Sequence, residues 1–271
     1  MSYRVIALDL DGTLLDPQKH ILPESLSALH EAHQSGIKIL IVTGRHHVAI
    51  HPFYQALQLD TPAICCNGTY SYDFRAKKVL ASDPLSPLEA SQALTYMQDA
   101  EIQHLMYVDE AILYEHPHTV TRTLAWSDSL PVHQRPNLQQ IRNFEEAIHN
   151  VNFIWKFATS SPNLVKLRKL SEQIEENVGL ECEWSWFDQV DITKKGNSKG
   201  MRLQQWIESQ GMSMKDVIAF GDNHNDLSML ETAGLGVAMG NGVDAVKERA
   251  DIVIQDNTQP GIAEIIRQYV L

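Results

Sequence analysis

Asp9 and Asp11 stand two residues apart at the end of the apolar run Val5, Ile6, Ala7, Leu8, and Gly12 and Thr13 follow them. Paired carboxylates of this kind suit Mg2+ and phosphate chemistry, because hard carboxylate oxygens are the donors that Mg2+ takes. An Asp of ordinary pKa, about 3.9, is already ionised at neutral pH and can attack phosphorus without a base. Two-residue periodicity in a strand aims both acids to one side, and Gly12 allows a sharp exit that turns backbone amides toward an anion. A calcium loop also uses Asp-x-Asp-Gly, but it needs further oxygen ligands and a closing Glu. Leu14, Leu15 and Pro17 stand there instead.

Three more segments carry matching chemistry. Ile39, Leu40, Ile41 and Val42 lead into Thr43, Gly44 and Arg45, a hydroxyl and a flexible turn able to meet a phosphate oxygen. Asn197, Ser198, Lys199 and Gly200 precede an amphipathic stretch with Met201, Leu203, Trp206 and Ile207, which puts Lys199 near a helix start. A lysine there opposes the helix dipole unless an anion accompanies it. Val217, Ile218, Ala219 and Phe220 lead into Gly221, Asp222, Asn223, His224, Asn225 and Asp226, a further strand delivering carboxylates at its end. Singly, Lys199 reads as a solvated charge, Asn225 as a helix cap and Asp226 as a first-turn acid. Their joint occurrence at successive element ends points to one site.

In this order the segments resemble the motifs of the haloacid dehalogenase superfamily of phosphohydrolases: Asp9 to Thr13 the first, Thr43 the second, Lys199 the third, and Gly221, Asp222, Asn225 and Asp226 the fourth. The resemblance covers essentially the whole chain. The long insert before Lys199 and the Asn67, Gly68 pair resemble the Cof-type branch, and residues 43–54 and 65–70 resemble members that act on pyridoxal 5'-phosphate.

The resemblance implies a Mg2+-dependent phosphatase of small phosphorylated metabolites working through an aspartyl-phosphate. Pyridoxal 5'-phosphate is the leading substrate; a broad sugar-phosphate phosphatase and a sugar phosphomutase are the alternatives. Asp9 would be the nucleophile and Asp11 the proton donor and acceptor. Mg2+ would be held by the Asp9 carboxylate, the Asp11 carbonyl and the Asp222 carboxylate. Leu10, Thr43, Gly44, Lys199 and Asn225 would hold phosphoryl oxygens, and Asp226 would orient Lys199 or a metal-bound water. Asn67 and Gly68 join Arg45, His46 and His47 as candidates around the substrate.

His47 and His51 have a spacing that could chelate a metal on one helix, but no Glu or third ligand accompanies them, so surface or half-buried histidines are expected. Trp184 and Trp186 alternate on a strand and read as cap core, with stacking on an aromatic substrate as the other use.

The elements that must place these residues alternate. Buried-type strands at 3–8, 38–42, 63–66, 217–220, 235–237 and 252–254 and helical patterns such as 23–34 predict an α/β fold with a doubly wound, parallel, Rossmann-like sheet. A hairpin is expected at 70–80, turning at Arg75 to Lys77. Residues 83–189 read as an inserted α+β cap that sets substrate specificity, with antiparallel strands near 105–108, 112–114, 151–158 and 180–187 and helices at 86–99 and 162–177. Residues 1–82 and 190–271 would form the hydrolase core.

At 271 residues, about two domains are expected. The formal charge of -12 argues against a nucleic-acid partner, since a polyanion would be repelled. It also means that a phosphate site must offset the field locally, with Mg2+, Lys199, Arg45 and aimed amides. Three cysteines, Cys65, Cys66 and Cys182, have neither a disulfide framework nor zinc spacing and read as buried thiols. Apolar runs of strand length and the lack of a leader-like start predict a cytoplasmic chain with no membrane partner.

Overall fold

Val5–Leu8 has no exposed face: Val5 and Ala7 join one cluster with Leu40, Val42, Leu203, Ile207, Met229 and Leu230, while the alternating Ile6 and Leu8 are equally buried. That is the signature of a strand covered on both sides of a parallel sheet. The computed structural model describes residues 3–271. In it Val5–Leu8 lies inside a five-stranded sheet of order Ile252–Val253, Leu235–Ala238, Val217–Gly221, Val5–Leu8, Lys38–Ile41, with all neighbouring strands parallel. This is the expected α/β core with a parallel sheet. Leu8 pairs with Phe220 on one side and Ile41 on the other, so Asp9, Thr43 and Asp222 all leave the same edge, the carboxyl ends of adjacent strands.

The chain divides into two compact units: one runs up to Gly44 and includes Phe53–Ala81 and Ser198–Leu271; the other comprises Arg45–Pro52 and Ser82–Asn197. In the first, helix Pro23–Gln34 forms where expected, with Pro23 in its first turn, and packs on Gly261–Tyr269. Lys199–Ser209 and Leu227–Thr232 pack together and supply the helical side of the cluster around Val5. The expected hairpin belongs to a small sheet of Ala63–Cys65, Tyr70–Asp73 and Lys78–Ser82. Its turn is closed by Asp73 Oδ1, which accepts the Arg75 and Ala76 amides.

The second unit holds a six-stranded sheet of order Glu181–Trp186, Gln189–Thr193, Ile154–Ser160, Gln103–Val108, Ala111–Tyr114, Leu138–Gln140. Helices Pro87–Asp99 and Leu164–Asn177 form near their expected positions, the first closed by a capping box between Ser86 and Glu89. Three details depart from expectation. Leu138–Gln140 pairs parallel with Ala111–Tyr114 at the edge of an otherwise antiparallel sheet. Gln189–Thr193 sits between two strands of this sheet, so residues 190–197 group with the second unit and not with the first. Residues 151–153 precede the strand expected to include them, because helix Phe144–Asn150, started by the Asn143 cap on the Glu146 amide, delays its start to Ile154.

Candidate active site

Where the first strand ends, charge is concentrated in a buried position. Asp9 is 5% exposed, and Lys199 Nζ donates to its Oδ1 at 2.7 Å and to Asp226 Oδ1 at 2.6 Å. Lys199 opens helix Lys199–Ser209, capped by Ser198 Oγ on the Met201 amide, so its buried ammonium sits near backbone N–H groups and needs the two carboxylates. Burial pulls that ammonium down, yet Asp226 and Asp9 outweigh it and hold Lys199 above its ordinary pKa. Asp226 Oδ2 accepts the Asp222 and Asn223 amides at 2.9 and 3.0 Å. Both of its oxygens are thereby engaged, which suits an orienting role.

Asp222 closes the group from the far side. Thr13 Oγ1 donates to its Oδ1 at 2.7 Å. Gly12 has φ +84, and a Cβ there would lie 2.2 Å from Asp222 Oδ2, so the glycine is required both for the turn and for the close approach of this carboxylate.

Oxygens of Asp9, Asp222 and Asp226 come within 4.8 Å of one another. Burial, helped by Asp226 and Asp11 and opposed by Lys199, pushes Asp9 up to about 7. Burial and the neighbouring Asp226 and Asp9 likewise raise Asp222 well above the usual carboxylate range. Three carboxylates facing one ammonium leave negative charge unbalanced, and an all-oxygen donor set fits a hard divalent cation.

Thr43 follows the neighbouring strand, with its amide on the Ile64 carbonyl at 2.9 Å and its carbonyl accepting the Asn67 amide at 3.1 Å. Asn67 takes the left-handed conformation at φ +57, and its Oδ1 accepts Asn225 Nδ2 at 3.1 Å. Arg202 binds the Gly68 carbonyl at 2.8 Å. The Asn67, Gly68 turn therefore ties Thr43 to Asn225 and to the Lys199 helix. Leu10 is fully buried and its carbonyl accepts the Thr13 and Leu15 amides; Gly44 ends the first unit's opening segment.

Asp11 stands apart from the buried acids. Its carboxylate accepts Lys19 Nζ at 2.6 Å, with side chains 27% and 30% exposed. Sequence reasoning missed Lys19, since nothing in its spacing marks it; a turn eight residues on brings it back.

Arg45, His46 and His47 each meet a group of the second unit. Arg45 lies 4.6 Å from the Trp126 ring centroid, His46 Nε2 meets the Val108 carbonyl at 2.6 Å, and His47 Nε2 meets Glu110 Oε2 at 2.9 Å. Both histidines are buried, against the expected surface or half-buried position. Burial, joined by His47, pushes His46 well below its ordinary pKa; burial lowers His47 too, with Glu110 opposing. His47 lies in the short helix His47–Ala49 and His51 opens a separate one, His51–Ala56, so the two do not share a helix face. Trp184 packs on the second unit's core, but a register shift separates it from Trp186, which is 38% exposed.

Acidic strand ends on a parallel sheet, a buried lysine bridging two of the acids and an inserted second unit define a class. The chain belongs to the haloacid dehalogenase-like hydrolase family, whose model matches residues 6–266. Within that class it is 56% identical over 272 residues to pyridoxal phosphate phosphatase YbhA of Escherichia coli (strain K12), covering 100% of both chains. It is 29% identical over 275 residues to 5-amino-6-(5-phospho-D-ribitylamino)uracil phosphatase YcsE of Bacillus subtilis (strain 168), covering 100% of this chain and 97% of the relative. A solved haloacid dehalogenase-like hydrolase from B. subtilis shares the fold with a TM-score of 0.87 at 24% identity, over 98% of this chain and 100% of that one.

Proposed function

We propose that this chain is a phosphatase that hydrolyses pyridoxal 5'-phosphate through an aspartyl-phosphate on Asp9. The observation that carries this reading is the buried Asp9 carboxylate, bridged by Lys199 to Asp226 beside Asp222, in a chain 56% identical to a pyridoxal phosphate phosphatase.

In the first half-reaction an Asp9 oxygen bonds to phosphorus as the bond to the ester oxygen breaks. Asp11 gives its carboxyl proton to that departing oxygen. In the second, a water oxygen bonds to phosphorus, Asp11 takes the water proton, and Asp9 leaves as a carboxylate with inorganic phosphate released. Lys199 neutralises charge along this path, Asp226 fixes Lys199, and Thr43, the Leu10 and Gly44 amides and Asn225 hold the phosphoryl oxygens. The Asp9 and Asp222 carboxylates and the Asp11 carbonyl would hold Mg2+, which when bound supplies the positive charge that lets an anionic nucleophile meet an anionic ester.

The second unit is read as the specificity cap, because the core residues address only groups that every phosphate ester shares. The phosphatase is read as cytoplasmic; among the described residues no helix is long and apolar enough to cross a membrane. The test is phosphate release in Mg2+ from pyridoxal 5'-phosphate against a panel of sugar phosphates, with Asp9→Asn as blank. Preference for pyridoxal 5'-phosphate supports the reading. A profile led by sugars overturns the substrate and keeps the chemistry, and isomerised sugar phosphate without phosphate release indicates a mutase.

A further inference from the structure

The loop that leaves Asp9 is braced along its length. Asn241 Nδ2 donates to the Gly12 carbonyl at 2.8 Å, Asn257 Nδ2 donates to the Leu15 carbonyl at 2.7 Å, and Asn241 Oδ1 accepts the Asn257 amide at 3.0 Å. Beyond Leu15 a tight turn follows: the Asp16 amide donates to the His20 carbonyl, the Lys19 amide to the Asp16 carbonyl, and the His20 amide to Asp16 Oδ1. Within this turn Lys19 has φ +66, a left-handed conformation that Gly or Asn adopts more readily than a long side chain. From that fixed point its ammonium reaches Asp11 Oδ1 at 2.6 Å.

A lysine held in an unfavourable conformation by its own turn, and spent on the acid that stands outside the buried cluster, is an arrangement to explain. Proton transfer to a departing oxygen depends on the direction of the donor, and an Asp side chain in a part-exposed position has two torsions to settle. An ammonium on one carboxyl oxygen settles them.

We propose that Lys19 is a positioning residue for the proton-transfer steps: it anchors Asp11 Oδ1 so that the carboxyl group is aimed at the ester oxygen and, later, at the attacking water. The proposal rests on the reading of Asp11 as the acid and base. Lys19 exchanges no proton. The proton passes from the Asp11 carboxyl to the ester oxygen, which keeps the electron pair of the broken P–O bond, and Asp11 recovers a proton from water as the water oxygen bonds to phosphorus.

The test compares Lys19→Met, Lys19→Arg and Lys19→Gly with Asp11→Asn on two substrates. One is pyridoxal 5'-phosphate, or a sugar phosphate should that be the preferred ester; its alkoxide must be protonated. The other is p-nitrophenyl phosphate, whose leaving group needs no proton. General acid catalysis contributes roughly 10²–10⁴-fold, so Lys19→Met should lower kcat on the alkyl ester by about 10–100-fold and on the aryl ester by less than about 3-fold, with KM little changed. Arg restores most of the alkyl rate. Gly, which fits the backbone without strain, shows the same split as Met and separates lost aim from lost folding.

Equal losses of Lys19→Met on both substrates, or an unchanged alkyl rate, overturn the proposal while a leaving-group split in Asp11→Asn keeps the mechanism standing. Without that split in Asp11→Asn, the acid assignment falls and the role of Lys19 falls with it.

Discussion

At the scale of single residues, the cost of the site is concentrated in Asp9. Burial is the main cause of its rise from 3.8 to about 7, and the rise sets a sign. Between these values the unfolded chain has released the proton that the folded chain keeps. Stability of the metal-free protein therefore falls as pH rises through about 4 to 7, and the ionised group opposes folding above that window. Asp9→Asn carries no charge to bury, so at pH 8 in chelator it should melt above the wild type, by up to about 4 kcal/mol in stability, and the two should converge near pH 4. A wild-type melting temperature at or above that of the variant at pH 8 would contradict this. The same variant should lose at least ~10³-fold in turnover, as removal of a nucleophile does elsewhere. Stability and activity oppose each other at this residue.

At the scale of elements, two close contacts decide what the strands and turns can hold. Gly12→Ala places a methyl within 2.2 Å of Asp222 Oδ2 at a backbone with φ +84. Asp222 must move, so divalent-cation affinity measured by calorimetric titration should weaken, with about 1–3 kcal/mol lost from stability. Unaltered affinity would mean that Asp222 does not serve the ion. In the second unit, Lys156 Nζ donates to Asp191 Oδ2 at 2.6 Å with both side chains almost wholly buried and the Tyr107 ring centroid 4.6 Å from the ammonium. Lys156→Met strands a buried carboxylate and should cost about 3–5 kcal/mol in denaturant unfolding; adding Asp191→Leu should recover most of it, since the pair stabilises little beyond a well-packed apolar substitute. A double variant no better than the single one would show that the pair contributes more than mutual neutralisation.

At the scale of the whole molecule, the two units should answer pH in opposite directions. His46, His47 and His104 of the second unit are all held below the ordinary imidazole value, chiefly by burial. Below about 6.5 the unfolded chain binds protons that these rings refuse, and stability falls by up to about 1.4 kcal/mol per pH unit for each histidine until its folded pKa is reached. Asp9 and Asp222 of the first unit have raised values, so acid relieves them in the absence of metal. Calorimetry in chelator from pH 7 to 5 should show one transition rising and the other falling. Two transitions moving together would refute this, and added Mg2+ should shift only the one that contains Asp9.

The amino-acid sequence by itself determined the parallel core and the order of its acids. Uninterrupted apolar strands such as Val5–Leu8 have one stable setting, between two helical layers, and the residues that follow them must emerge at one edge. It determined Lys199 as a helix opener, because Ser198 and the amphipathic run after it are local signals. Less was legible in the second unit: Leu138–Gln140 is three residues with an exposed, polar face, and Gln189–Thr193 joins its sheet through partners far along the chain. Only the tertiary structure decided which cation each acid meets. Asp9 and Asp11 are two residues apart, yet one meets Lys199 from a distant helix and the other meets Lys19 from a nearby turn. Only tertiary structure, too, buried His46 and His47. Periodicity fixes which side of an element a residue occupies, whereas its ionic partner and its access to water depend on what the rest of the chain brings to that side.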